Sequence, residues 1–87
     1  MSWKRAQKLA AARLPFLLWQ AVSMREQFGE TRAVTLIVYP DVTSYRLAHP
    51  DSPWPLNLHT MVQRALQRAM KKHGYDVTLK LADPKGN

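Results

Sequence analysis

The chain contains no cysteine, which excludes disulfide bonds, thiolate metal sites and a cysteine nucleophile. The absence also fits a reducing compartment, so we expect a cytoplasmic location. Glycine is scarce: Gly29, Gly74 and Gly86 are too far apart to build a Gly-rich phosphate loop. We therefore expect neither a metal ion nor a cofactor.

Long apolar runs are also missing, and none approaches the roughly 20 residues that a membrane-spanning helix needs. Lys4, Arg5 and Lys8 precede an apolar stretch, as in a signal peptide. Arg13 interrupts that stretch, and the remaining run, 14–19, is too short for the apolar region of a signal peptide. We expect neither a membrane-spanning helix nor a signal peptide, and a membrane is not the expected partner.

The pattern of apolar residues predicts two helices and three strands. Residues 2–28 repeat apolar positions at spacings of three, four and seven, which predicts a long helix that Pro15 either kinks or divides. Residues 33–39 (AVTLIVY) predict a strand that is apolar on both faces, and therefore central or covered by a partner. Residues 42–48 follow the turn at Pro40 and predict a second strand, with Thr43, Tyr45 and Leu47 on one face.

After a proline-rich connection at 49–55, Asn57 is expected to cap a second helix that Gly74 ends. Residues 75–82 alternate apolar and polar side chains and predict a third strand. The order α-β-β-α-β predicts an α+β fold: a three-stranded, mainly antiparallel sheet with both helices on one face. By analogy this is similar to a ferredoxin-like βαββαβ unit without its first strand. We expect one domain, 1–83, and a tail, 84–87.

Charge segregation is the strongest functional signal. Nine of the thirteen basic residues lie in two stretches without any acid, 1–25 and 52–75. Arg64, Arg68 and Lys71 recur at i, i+4 and i+7, so they form a row on the second helix that is suited to successive phosphates. The predicted nucleic-acid-binding residues are Lys4, Arg5, Lys8, Arg64, Gln67, Arg68, Lys71 and Lys72.

Aromatic residues supply a second set of candidates, the predicted protein-interface residues Trp3, Phe16, Trp19 and Trp54. On the first helix, basic and aromatic side chains share one side. This mixture suits stacking on single-stranded nucleic acid, an acidic membrane surface or a second copy of the chain. A homodimer is therefore among the expected partners.

The three histidines do not predict an enzyme. His59 and His73 are 14 residues apart on one predicted helix, so about 21 Å separates them. His49 lies in the 49–55 connection, where nothing in the sequence holds it against His59. A histidine-dependent nuclease is the one enzymatic alternative.

The sequence thus favours a small basic protein that binds DNA or RNA through the second helix and the N-terminal basic cluster. The alternative is a protein-interaction module, an adaptor or inhibitor that docks on an acidic surface of a nucleic-acid-processing complex. In general character the chain resembles small proteins of mobile elements and toxin–antitoxin systems, although no motif names a family.

Overall fold

The computed structural model describes residues 2–29 and 32–83. The predicted tail, 84–87, lies outside the described residues. Helix α1 spans Trp3–Phe28, strand β1 Ala33–Val38, helix α2 Val42–Ala48, helix α3 Leu56–Lys72 and strand β2 Asp76–Leu81. Along the described chain, no helix is both long and apolar enough to cross a bilayer.

The predicted sheet was wrong. β1 and β2 form a two-stranded parallel sheet in which Ala33 is opposite Asp76 and Val38 is opposite Leu81. The described residues therefore contain three helices and two parallel strands, not two helices and three mainly antiparallel strands. The fold remains α+β overall. Parallel strands need a connection of a dozen or more residues, and residues 39–75 provide it with two helices.

The error lies in residues 42–48, which form α2 instead of a strand. Asp41 begins this helix, because its carboxylate accepts a hydrogen bond of 2.7 Å from the Ser44 backbone N–H. Leu47 is 78% exposed, so the apolar face expected of a strand does not exist. Tyr45 alone provides the large buried side chain of α2, and one anchor is enough for a helix of two turns.

α1 is a single helix, with Pro15 inside it, and its first turn is capped by Ser2. The Ser2 hydroxyl accepts a hydrogen bond of 3.2 Å from the Arg5 backbone N–H. The predicted cap of α3 was wrong: Pro55 precedes the helix and Asn57 lies within its first turn. Gly74 follows α3 at φ +89°, a left-handed backbone that favours glycine and turns the chain toward β2.

α3 is the centre of the molecule, because it packs against α1 and against both strands. Leu58, Val62, Leu66 and Met70 recur along one side of α3 and are almost fully buried. Burial of each such side chain stabilises the fold by about 1.5–3 kcal/mol. β1 is not a central strand, since β2 is its only neighbour among the described residues.

Candidate functional site

The N-terminal end of α1 passes the C-terminal half of α3, and there an aromatic ring of one helix meets a cation of the other. The Arg68 guanidinium carbon lies 5.8 Å from the centre of the Trp3 ring, a cation–π contact between the two helices. Lys72 is one turn further along α3 and exposed. The structure thus brings together one predicted interface residue and two predicted phosphate-binding residues.

Beside this contact a groove of about 460 Å³ runs between α1 and α3. We call it the Trp3 groove. Its walls include the small side chains Ala10, Ala11, Ala65 and Ala69, which keep it open, and the polar side chains Gln7, Arg68, Lys72 and His73. None of the described residues that line it is acidic. The groove therefore combines an aromatic ring, cations and apolar walls.

A second cavity of about 530 Å³ lies on the other side of the same stack, lined by Trp3, Arg64, Gln67, Arg68 and Leu79. Trp3 and Arg68 therefore border both cavities. Arg64 extends the positive surface by one helical turn and is exposed.

The N-terminal basic cluster divides around α1. At about 100° per residue, Lys4 projects about 20° and Lys8 about 60° away from the groove-lining residue Ala11, whereas Arg5 projects about 120° away from it. All three basic side chains are exposed. Lys4 and Lys8 are thus placed to extend the groove surface, and Arg5 is not.

The amide of Gln67 is bonded within the fold, although this residue also lines the second cavity. Its Nε2 donates a hydrogen bond of 2.9 Å to the Val77 carbonyl of β2. Gln63, one turn earlier, donates in the same way to the Ile37 carbonyl of β1, also at 2.9 Å. Both glutamines fasten α3 to the sheet, a role that sequence spacing alone does not reveal.

The other predicted interface residues divide into two groups. Trp54 is half-buried against the core, and the Arg13 guanidinium carbon lies 5.4 Å from its ring centre. Phe16 and Trp19 are 59% and 64% exposed, and their ring centres stack 6.2 Å apart on α1. This pair belongs to neither the core nor the Trp3 groove.

The site that sequence reasoning missed is a cluster of four rings, which we call the histidine–tyrosine cluster: Tyr39, Tyr45, His49 and His59. Every pair of these rings has its centres within 5.8 Å. His49 and His59 are 5.5 Å apart, although nothing in the sequence held them together. The sequence carried part of the information, because His49 begins the proline-rich segment 49–55 and His59 follows that segment by four residues.

Hydrogen bonds hold the 49–55 segment in place beside this cluster. The Tyr39 hydroxyl and His49 Nε2 lie 3.1 Å apart. The Tyr45 hydroxyl donates to the Trp54 carbonyl at 3.0 Å and also bonds the Ser52 hydroxyl. Arg46 donates to the backbone carbonyls of Ser52 and Trp54 at 2.7 and 3.1 Å. The segment is therefore clamped, in spite of its proline-rich composition.

His59 is 5% exposed, and its Nδ1 has no hydrogen-bond partner within the described part of the chain. Burial, followed by the charges of His49 and Arg13, lowers the pKa of His59 from 6.5 to about 4. The ring is therefore neutral at pH 7. His73, the third histidine, is exposed at the end of α3 and belongs to the Trp3 groove.

Within residues 2–29 and 32–83, no three His, Asp or Glu side chains are grouped so as to hold a metal ion. Comparison with family models, curated proteins and solved structures finds no match to this chain. The geometry of the molecule is thus the basis for any functional inference.

Proposed function

We propose that the protein binds nucleic acid, with the strand lying along the Trp3 groove and its phosphates on the cations at the groove's edges. The observation that carries this proposal is the Trp3–Arg68 stack, which borders two cavities and joins α1 to the basic face of α3. Aromatic rings next to cations are the usual platform for single strands. We therefore expect a preference for single-stranded over double-stranded substrates.

The phosphate contacts come from Arg64, Arg68, Lys71 and Lys72 on α3, with Lys4 and Lys8 on α1. No acid lies in residues 52–75 to neutralise the α3 row internally. Like charges on one helix face repel by a few tenths of a kcal/mol per pair, and an external polyanion relieves that repulsion. Affinity should fall steeply with salt for the same reason.

The test is fluorescence anisotropy with labelled single- and double-stranded DNA and RNA at two salt concentrations. Removing two cations from the groove in the R68A/K72A variant should weaken binding and lower the slope of log affinity against log salt by about 1.4, or about 0.7 per lost contact. The matched control is R5A/K80A, which loses the same charge from exposed positions outside the groove.

Equal weakening in both double variants would mean that net charge, not the groove, controls binding. Absence of salt-dependent binding by the native protein would overturn the proposal as a whole. Circular dichroism confirms that each variant folds before affinities are compared.

A second candidate function is docking on an acidic protein, and the exposed Phe16–Trp19 pair favours it. Paired aromatic side chains are frequent anchors of protein interfaces. In this case the F16A/W19A variant would lose a stoichiometric protein partner in a pull-down and would retain its affinity for oligonucleotides. If the variant instead kept the protein partner and lost affinity for oligonucleotides, protein docking through the Phe16–Trp19 pair would be excluded.

A further inference from the structure

A separate cavity of about 330 Å³ opens beside the histidine–tyrosine cluster. No described residue lines both this cavity and the Trp3 groove. Its walls include Arg13 of α1, His49 and Trp54 of the 49–55 segment, and His59 of α3. We propose that this cavity is a second binding site, specific for a phosphate monoester group that Arg13, His49 and His59 hold.

Three different elements bring nitrogen donors to this cavity, and none of the described residues lining it carries a carboxylate. Arg13 stacks on the Trp54 ring and has no hydrogen-bond acceptor in the described chain, so its guanidinium fork is available for two parallel bonds to one anion. The Ser52 hydroxyl lines the same cavity. Its proton is already donated to the Tyr45 hydroxyl, so the donors left for a ligand are the Arg13 guanidinium and the imidazoles, and the guanidinium fork matches phosphate geometry.

His59 supplies an independent observation. It is 95% buried, and the lack of a partner for its Nδ1 is unusual, since the great majority of buried polar side-chain atoms are hydrogen-bonded. The groups that face it are the Arg13 guanidinium, the His49 imidazole and the Tyr39 and Tyr45 phenols, and none of them is a carboxylate. A bound anion would compensate the positive charge that now opposes protonation of His59.

The cavity is also held in one shape before any ligand arrives. Tyr39 orients His49, and Tyr45 and Arg46 fix the backbone around Ser52 and Trp54. A site formed in advance loses little conformational entropy on binding. Pro53 and Trp54 add an apolar wall against which the organic part of an ester can pack.

The phosphate can come from the end of a nucleic-acid strand or from a free small molecule. Three ligands distinguish these sources: inorganic phosphate, a 5′-phosphorylated oligonucleotide and the same oligonucleotide with a 5′-hydroxyl. The experiment follows the imidazole signals of the full chain by ¹H–¹⁵N NMR at pH 6.5 and constant ionic strength. His49 and His59 report on the cavity, whereas His73 reports on the Trp3 groove.

Inorganic phosphate should shift the His49 and His59 signals saturably, leave His73 nearly unchanged and raise the pKa of His59. The 5′-phosphorylated oligonucleotide should shift all three histidines, and the 5′-hydroxyl form His73 alone. If only inorganic phosphate affects His49 and His59, the ligand is a small molecule and not a strand end.

The R13Q variant should weaken phosphate binding tenfold or more, because it removes the bidentate cation but preserves a long side chain over Trp54. The matched control is R5Q, another exposed arginine of α1 that lines neither cavity. Both positions are exposed, so both variants should fold. A second variant, H49N, tests the same site by removing the imidazole that the 49–55 segment contributes to the cavity.

The proposal is overturned if His49 and His59 shift no more than His73, or if R13Q and R5Q bind phosphate equally. Failure of this proposal can be distinguished from failure of the proposed nucleic-acid binding in the Trp3 groove. The R68A/K72A protein should keep its phosphate response at His49 and His59 while it loses affinity for the 5′-hydroxyl oligonucleotide.

Discussion

Tyr45 and His59 pack ring against ring with their centres 4.8 Å apart, although they lie on different helices, 14 residues apart in the chain. Tyr45 is completely buried and His59 nearly so. Through this contact the short helix α2 is attached to the first turn of α3, and the 49–55 segment between them is closed into a clamped loop. The stability of the molecule and the shape of the cavity proposed to bind phosphate therefore depend on the same pair.

Tyr45→Phe should lower the free energy of unfolding by about 1–2 kcal/mol, since it removes the hydroxyl that bonds Ser52 and the Trp54 carbonyl but retains the ring. Urea unfolding measures the difference. Tyr39→Phe is the matched control, because its hydroxyl bonds His49 at an exposed position and its loss should cost about 0.5 kcal/mol or less. Equal losses in the two variants would mean that the Tyr45 hydroxyl does not hold the segment.

His59 should make the protein less stable as the pH falls from 6.5 to 4. The unfolded chain binds a proton at this histidine near pH 6.5, whereas the folded chain resists it until about pH 4. Its contribution is therefore complete above pH 6.5 and is lost through this window, by about 3 kcal/mol in total.

Urea unfolding of the native protein and of His59→Leu at several pH values isolates that contribution, because the carboxylates titrate alike in both. The native protein should lose more stability than the variant between pH 6.5 and 4. His73→Asn, at the exposed end of α3, should behave like the native protein. Parallel curves for native protein and His59→Leu would contradict the depressed pKa.

An acid placed in the Trp3 groove should repel a nucleic-acid strand. Ala11 and Ala12 are adjacent, exposed alanines of α1, but only Ala11 lines the groove. Ala11→Glu should weaken oligonucleotide binding about tenfold, and Ala12→Glu, with an identical change in net charge, should weaken it two- to threefold. Anisotropy at one salt concentration measures both. Equal effects of the two substitutions would mean that the nucleic acid does not bind in the groove.

Gln67→Ala should reduce stability and leave nucleic-acid affinity unchanged. The variant loses the hydrogen bond to the Val77 carbonyl, which should cost about 1 kcal/mol. Gln20→Ala, at an exposed position of α1, is the control and should be neutral. Chemical unfolding and anisotropy are measured on the same preparations. A loss of affinity without a loss of stability would mean that Gln67 contacts the nucleic acid.

The spacing of apolar residues, together with the positions of turn residues, predicted most of the helices and strands from the sequence. The long helix over residues 3–28, the strand over 33–38, the second amphipathic helix and the last strand all lie close to where their patterns predicted them. Hydrophobic periodicity is a local property of the sequence, so it can be recognised without knowing which helices and strands pack together. The two acid-free basic stretches are likewise a property of composition alone.

Only the tertiary structure decided the rest. Residues 42–48 carry Thr43, Tyr45 and Leu47 at alternate positions, yet the Asp41 cap and the burial of Tyr45 make them a helix, and the two remaining strands pair in parallel. The direction in which Gln67 points depends on where β2 passes α3. The meeting of His49 with His59 depends on a loop closed by Tyr45 and Arg46. Contacts between residues far apart in the chain arise from packing, which no local pattern encodes.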